Sequence, residues 1–170
     1  MTVFYCAACA ATLTGDLVGL ADVPEVGVDD VERDRDKKTG QARSTVPRGY
    51  FAIDREPWGA PFIAVGTSNR PARGTGRELL RTGTGGTVSA GRRDSIVVHP
   101  DDVLPRLEPF TSGDNWAGCC GPTGAHGPNL ACGCGSRLAT WAADCIGPNE
   151  LHLDPVRTYA WHQDGPVERT

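Results

Sequence analysis

Apolar residues in this chain come in short runs separated by polar, glycine-rich or proline-rich punctuation. Tyr50-Phe51-Ala52-Ile53 stands between Gly49 and Asp54, and Pro61-Phe62-Ile63-Ala64-Val65 follows the turn residues Pro57-Trp58-Gly59. Ser95-Ile96-Val97-Val98 is the most β-prone segment of all. Runs bounded in this way predict strands of about six residues at most. Further strands are predicted at Arg137–Ala142 and Glu150–Leu153, and a last one within Val156–His162 covers a sheet edge. At the N-terminus, Val3–Thr14 reads as a strand, a turn holding Cys6 and Cys9, and a return strand through Thr12-Leu13-Thr14. One more short strand falls within Asp16–Val28. Thr87–Ala90 and Ser95–His99 flank Gly91-Arg92-Arg93-Asp94, which predicts a hairpin with a four-residue loop. The one helical turn expected is Pro100–Leu104, with proline at its start, acids near the positive end of its dipole, and Pro105 ending it.

The expectation is therefore a mainly β single domain over residues 1–170, with about seven to nine short antiparallel strands. Two stretches read as mobile loops outside that framework. Residues 29–46 carry interspersed charge without an apolar stripe, and residues 67–87 are rich in Gly, Thr and Arg. No repeat of solenoid length is present.

Composition supports the reading of many turns. The 170 residues include 22 Gly and 13 Pro, with only 6% aromatics. The formal charge of −4 gives no global attraction to nucleic acid or anionic lipid. Lys37 and Lys38 are the only lysines among 17 basic residues, a bias that points to a GC-rich bacterial genome. No apolar run approaches the roughly 18–20 residues that span a bilayer. Val3–Ala11 imitates a secretory signal but lacks a basic n-region and is interrupted by two cysteines. A cytoplasmic location is the expectation, and in that reducing compartment seven cysteines point to metal rather than to a disulfide framework.

Five of the seven cysteines lie in Cys119–Cys145, and the other two form Cys6-Ala-Ala-Cys9. A structural zinc site takes four soft ligands tetrahedrally, and two tight turns carrying two cysteines each complete it. Cys6-x-x-Cys9 is one such turn, and Cys132-x-Cys134-Gly135 is the other. Leucine follows four residues after the second cysteine in both, at Leu13 and Leu138, with Thr14 and Thr140 soon after. Each turn thus feeds a strand into a shared core. A CxxC also occurs in redox proteins, but no βαβ pattern follows Cys9. Cys119, Cys120 and Cys145 are left over. One of the adjacent pair could join the main site, or the three could gather with His126 around a second zinc. Cys145 alone could also be a small buried hydrophobe, and Cys120 a reactive thiol.

With CAAC-xxx-L and CGC-xxx-L the chain resembles zinc-ribbon and zinc-knuckle proteins, which use CxxC twice where the second turn here is CxC. It is also similar to a family of uncharacterised small cysteine-rich bacterial proteins with a GCCGPxGxxGPN…CxCG cluster. The first resemblance covers only the two turns and implies Zn²⁺ at Cys6, Cys9, Cys132 and Cys134, as their spacing does, and the second brings no function with it.

Four thiolates leave no open position for a substrate, so the leading expectation is a non-enzymatic zinc-binding protein that engages a protein partner. Trp58, Trp116 and Trp161 are the candidate contacts. The second expectation is nucleic-acid binding through the basic region Arg70–Arg93, against the acidic total. The third is a zinc- or thiol-dependent enzyme using Cys119 or Cys120. No nucleotide-binding, metalloprotease or serine-hydrolase motif is present. His99, His152 and His162 stand alone, and no serine, histidine and acid group by spacing.

Overall fold

The computed structural model describes residues 1–25, 35–64, 87–90, 92–110, 115–116, 118–145 and 147–162. The expected mobile loop at 67–87, with Arg70, Arg73, Arg77 and Arg81, lies outside this set except for its last residue, as does the first part of 29–46.

Among the described residues the fold is mainly β. Eleven strands follow one another: β1 (Thr2–Cys6), β2 (Val18–Gly19), β3 (Tyr50–Asp54), β4 (Phe62–Ala64), β5 (Thr87–Ser89), β6 (Ser95–Val98), β7 (Leu107–Pro109), β8 (Leu130–Cys132), β9 (Arg137–Ala142), β10 (Glu150–Leu153) and β11 (Thr158–His162). Seven of them form one sheet in the order β2-β3-β6-β10-β9-β8-β7, antiparallel except for the β2–β3 pair. β1 and β11 form an antiparallel ribbon, and β4 and β5 a second small one.

The central strands are buried on both faces: β6 is a nearly continuous apolar run, and β10 alternates Glu150 and His152 with leucines yet exposes neither face to solvent. Ile96, Val98, Leu151 and Leu153 point to one side. There they meet Phe4, Leu13 and Leu17 from the N-terminal segment and Leu130 and Leu138 from β8 and β9. Val97 points to the other side and packs on Val46 and Ala52. Segments without strand structure cover that second face. Trp58 packs on Ala142, and Gly124 lies so close over it that a Cβ there would fall 2.5 Å from the indole. Gly124 also has φ +69°, so glycine is required twice over.

Two expectations are corrected. Thr87–Ala90 and Ser95–His99 do not form a hairpin: β5 pairs with β4, whereas β6 lies between β3 and β10. Arg93 makes the difference, because its guanidinium reaches under the preceding loop and donates to the carbonyls of Pro57 and Ala60. Pro105 does not stop the helical turn either: the first turn, Pro100–Asp102, ends at Val103, and Pro105 lies inside a second 3-10 turn, Leu104–Arg106. Proline is tolerated there because the first residues of a helical turn have free N–H groups in any case.

Leu151 has no exposed surface and sits at the centre of the larger core. Leu151→Ala is expected to cost about 2–5 kcal/mol, read as a lower urea midpoint at unchanged slope.

Candidate metal centre

Both cysteine turns are built the same way. Cys6 ends β1, its N–H donates to Ala11 O, and Ala10 N–H donates back to Cys6 O. Cys132 ends β8, its N–H donates to Ser136 O, and Gly135 N–H donates back to Cys132 O. In each turn the residue after the second cysteine has positive φ, +58° at Ala10 and +86° at Gly135. The CxC turn is thus the CxxC turn with one residue fewer, and it uses the glycine that the tighter bend favours. Leu13 and Leu138, the leucines at matching positions, are both fully buried.

The two turns meet. The Sγ atoms of Cys6, Cys9, Cys132 and Cys134 all lie within 4.8 Å of one another. Cys6 Sγ is 3.8 Å from Cys134 Sγ, and Cys9 Sγ is 3.6 Å from Cys132 Sγ. Four sulfurs held at about 2.3 Å from a central ion stand about 3.8 Å apart, so these separations fit a tetrahedral set of thiolate ligands. Cys6 and Cys132 face the core while Cys9 and Cys134 face solvent. The cluster therefore joins the N-terminal strand to the C-terminal half of the chain.

Electrostatics inside the cluster favour one thiolate and resist the next. Burial acts to raise the Cys6 thiol, but hydrogen bonds from the backbone of Ala8 and Cys9 and from the Cys134 and Cys9 side chains outweigh it and bring it down to about 7. At Cys9 a backbone hydrogen bond from Ala11 lowers the value. The neighbouring thiols Cys134 and Cys132, with burial, overcome it and push Cys9 up to about 12. Cys132 is raised too, first by burial. A cation removes this conflict, because ligation displaces the remaining protons.

A second cluster lies among the leftover cysteines. Cys119, Cys120 and Cys145 come together, and the fourth member is Asp144 rather than His126. Cys119 Sγ is 3.6 Å from Cys120 Sγ, 2.9 Å from Cys145 Sγ and 3.4 Å from Asp144 Oδ1. Asp144 Oδ1 also accepts the Cys120 N–H at 2.9 Å. Burial opposes ionisation of Asp144, but the N–H groups of Cys120 and Cys145 hold its carboxyl below the usual range. Cys119 is shifted upward, first by Cys145. His126 instead lines a shallow hollow with Phe110, Asn115 and Arg137. Arg35 ties this region together, donating to Gly40 O and to Cys145 O.

Other candidates fall in different places. His99 caps the first 3-10 turn through Nδ1, and His162 bonds Thr2 Oγ1 across the β1–β11 ribbon. Trp58 is buried and donates to Glu150, so it cannot be a surface contact. Trp116 is half-buried against Trp141. Trp161 is 62% exposed. Arg93 spends its two terminal amino groups on loop carbonyls, and Arg92 pairs with Asp94. Gly127-Pro128-Asn129 recurs as Gly147-Pro148-Asn149, and both asparagines serve one residue: Asn129 Oδ1 accepts the Trp141 N–H and Asn149 Oδ1 the Trp141 indole N–H.

Sequence reasoning missed a polar group on the second sheet face. Ser95, His152 and Glu150 are hydrogen-bonded in series. The signal was present in the polar residues of Glu150-Leu-His152-Leu, but only strand register brings Ser95 beside them.

Comparison with family models, with curated proteins and with solved structures finds no match. No helix among the described residues is long and apolar enough to cross a membrane.

In the metal-free protein, thiolate absorbance near 240 nm is expected to show a first step with a midpoint of about 7 that Cys6→Ser removes. Proton release on adding Zn²⁺ should therefore approach one per thiol below pH 7 and fall above it, where Cys6 is already ionised, and apparent affinity should rise with pH.

Proposed function

We propose that this chain is a zinc-binding protein in which Cys6, Cys9, Cys132 and Cys134 hold one Zn²⁺ as a structural staple. The observation that carries the reading is the meeting of two matched cysteine turns with sulfur separations of 3.6 and 3.8 Å. Soft thiolate ligands in a tetrahedral set select zinc or iron–sulfur chemistry over magnesium or calcium, and four protein ligands close the first sphere. The ion serves the fold rather than a reaction.

The working role is that of a protein-interaction module. What supports it is the outer face of the β1–β11 ribbon. Tyr5 and Tyr159 stack at 5.3 Å between centroids, and Trp161 extends the same face beyond them. Aromatic residues presented on a rigid ribbon are the side chains that dominate protein interfaces. Nucleic-acid binding is less well supported, since Arg93 is occupied within the fold.

A second reading concerns Cys119, Cys120, Cys145 and Asp144. Three sulfurs and a carboxylate are a ligand set for a second zinc, held more openly than the first.

Metal analysis of the purified protein tests both readings. One zinc per chain that Cys132→Ser abolishes fits the structural staple, and two zincs with one lost in Asp144→Ala adds the second site. Absence of metal from protein purified without chelators overturns the proposal. Chelation should lower the melting temperature sharply, since structural zinc contributes on the order of 10 kcal/mol of apparent binding free energy in small zinc domains. For the partner, a photo-crosslinker placed at position 161 should capture a protein that one at the exposed Val156 does not. Equal capture at both positions removes the interaction role.

A further inference from the structure

A cavity of about 410 Å³ opens on the second face of the large sheet, away from both cysteine clusters. Pro57, Trp58, Pro61, Pro128 and Val156 give it apolar walls, and Ser95, Thr140, His152, Arg93 and Asp154 supply the polar atoms. This is the size and chemistry of a small-molecule site.

The polar group has a definite order. Ser95 Oγ lies 2.9 Å from His152 Nδ1, and His152 Nε2 lies 3.0 Å from Glu150 Oε2. Glu150 is itself held, with Oε1 accepting the Thr45 hydroxyl at 2.8 Å and Oε2 the Trp58 indole N–H at 3.3 Å. Both carboxylate oxygens already act as acceptors, so the contact with His152 is an Nε2–H donation. The neutral ring then has its lone pair at Nδ1, where it accepts the Ser95 hydroxyl proton. Register fixes the set in place. His152 stands opposite Thr140 on β9 and Val97 on β6, and Ser95 is the next residue along that face of β6.

We propose that Ser95, His152 and Glu150 form a nucleophile–base–orienting relay, and that the cavity takes carboxylic esters with a small apolar acyl group. A strut that only braced the sheet would not need its hydroxyl and imidazole on a cavity wall. In the forward step Ser95 Oγ bonds to the ester carbonyl carbon and its proton passes to His152 Nδ1. The C–O bond to the alcohol then breaks, and the alcohol leaves with that proton. Water attacks the acyl-serine and gives a proton to His152; the C–Oγ bond then breaks, His152 returns that proton to Ser95 Oγ, and the carboxylic acid leaves. Arg93 contributes positive charge on the same wall, and its buried Nε–H has no partner among the described residues. Glu150 acts through His152 and is the positioning residue.

The test uses the full-length, metal-loaded protein and an alkyl fluorophosphonate, in which Ser95 Oγ would displace fluoride at phosphorus. Peptide mapping by mass spectrometry is expected to place one adduct on Ser95, absent in Ser95→Ala. In Glu150→Gln the side-chain amide can donate to Nε2, so the favoured ring carries its proton on Nδ1 and loses the base. Labelling should slow at least about tenfold, as expected for a base held in the wrong tautomer. A purely bracing role would leave that rate unmoved. No adduct on Ser95 in folded wild-type protein overturns the proposal, as does equal labelling of Ser95 in wild type and folded Glu150→Gln. Either result is independent of zinc content, so this site and the zinc staple stand or fall separately.

Discussion

The constraint on which this fold depends is the closure of one long loop by four sulfur atoms. Cys6 and Cys9 stand at one end of about 120 residues and Cys132 and Cys134 at the other. Bringing such ends together costs about 4–5 kcal/mol of chain entropy. Sheet pairing alone supplies part of the closure, through five residue pairs between β1 and β11. The ribbon, however, is two-stranded and exposed on one face, and isolated two-stranded pairs are marginal in water. The knuckles lie at its far end, where Cys6 pairs with Thr158, and the buried half of the cluster, Cys6 and Cys132, belongs to the main core. The cysteine cluster and the hydrophobic core therefore share the same residues.

Local chemistry was legible in the sequence, and partnership at a distance was only partly so. Cys6-x-x-Cys9 and Cys132-x-Cys134 declare themselves because each turn is complete within a few residues, and their following leucines mark where each enters the core. The strands over Arg137–Ala142 and Glu150–Leu153 were visible for the same reason. β7 and β8 were not. Leu107–Pro109 carries a proline and an acid, and Leu130–Cys132 is shorter than any useful period. The hairpin expected around residues 91–94 failed because a long side chain, Arg93, found carbonyls in another loop. His126 was a natural guess for the second cluster, yet Asp144 occupies that place because its carboxylate caps the Cys120 N–H. A preference for an oxygen already tied to the adjacent backbone cannot be read from ligand types alone.

The two faces of the large sheet divide the work. One face is apolar throughout and joins the chain ends. The other carries Ser95, Thr140, Glu150 and His152 under a cover of loops, where fully buried Glu150 would be costly without the donors it has. Trp58 is the link between these demands, since its ring packs on Ala142 and stands edge-on to His152 while its N–H serves Glu150. A residue expected at the surface is thus a keystone of the interior.

The separation of the knuckles along the chain also sets an order of events during synthesis. Cys6 and Cys9 leave the ribosome first, and at about 5–20 residues per second their partners follow roughly 6–25 s later. Through that interval the N-terminal turn has two thiols and no complete site. The apolar face of β1, with Phe4 at its centre, has no C-terminal strand to cover it. The nascent chain is therefore exposed to oxidation and to strand pairing with neighbours until its second half arrives. A protein that closes on itself in this way carries its first two thiols unpaired through most of its synthesis.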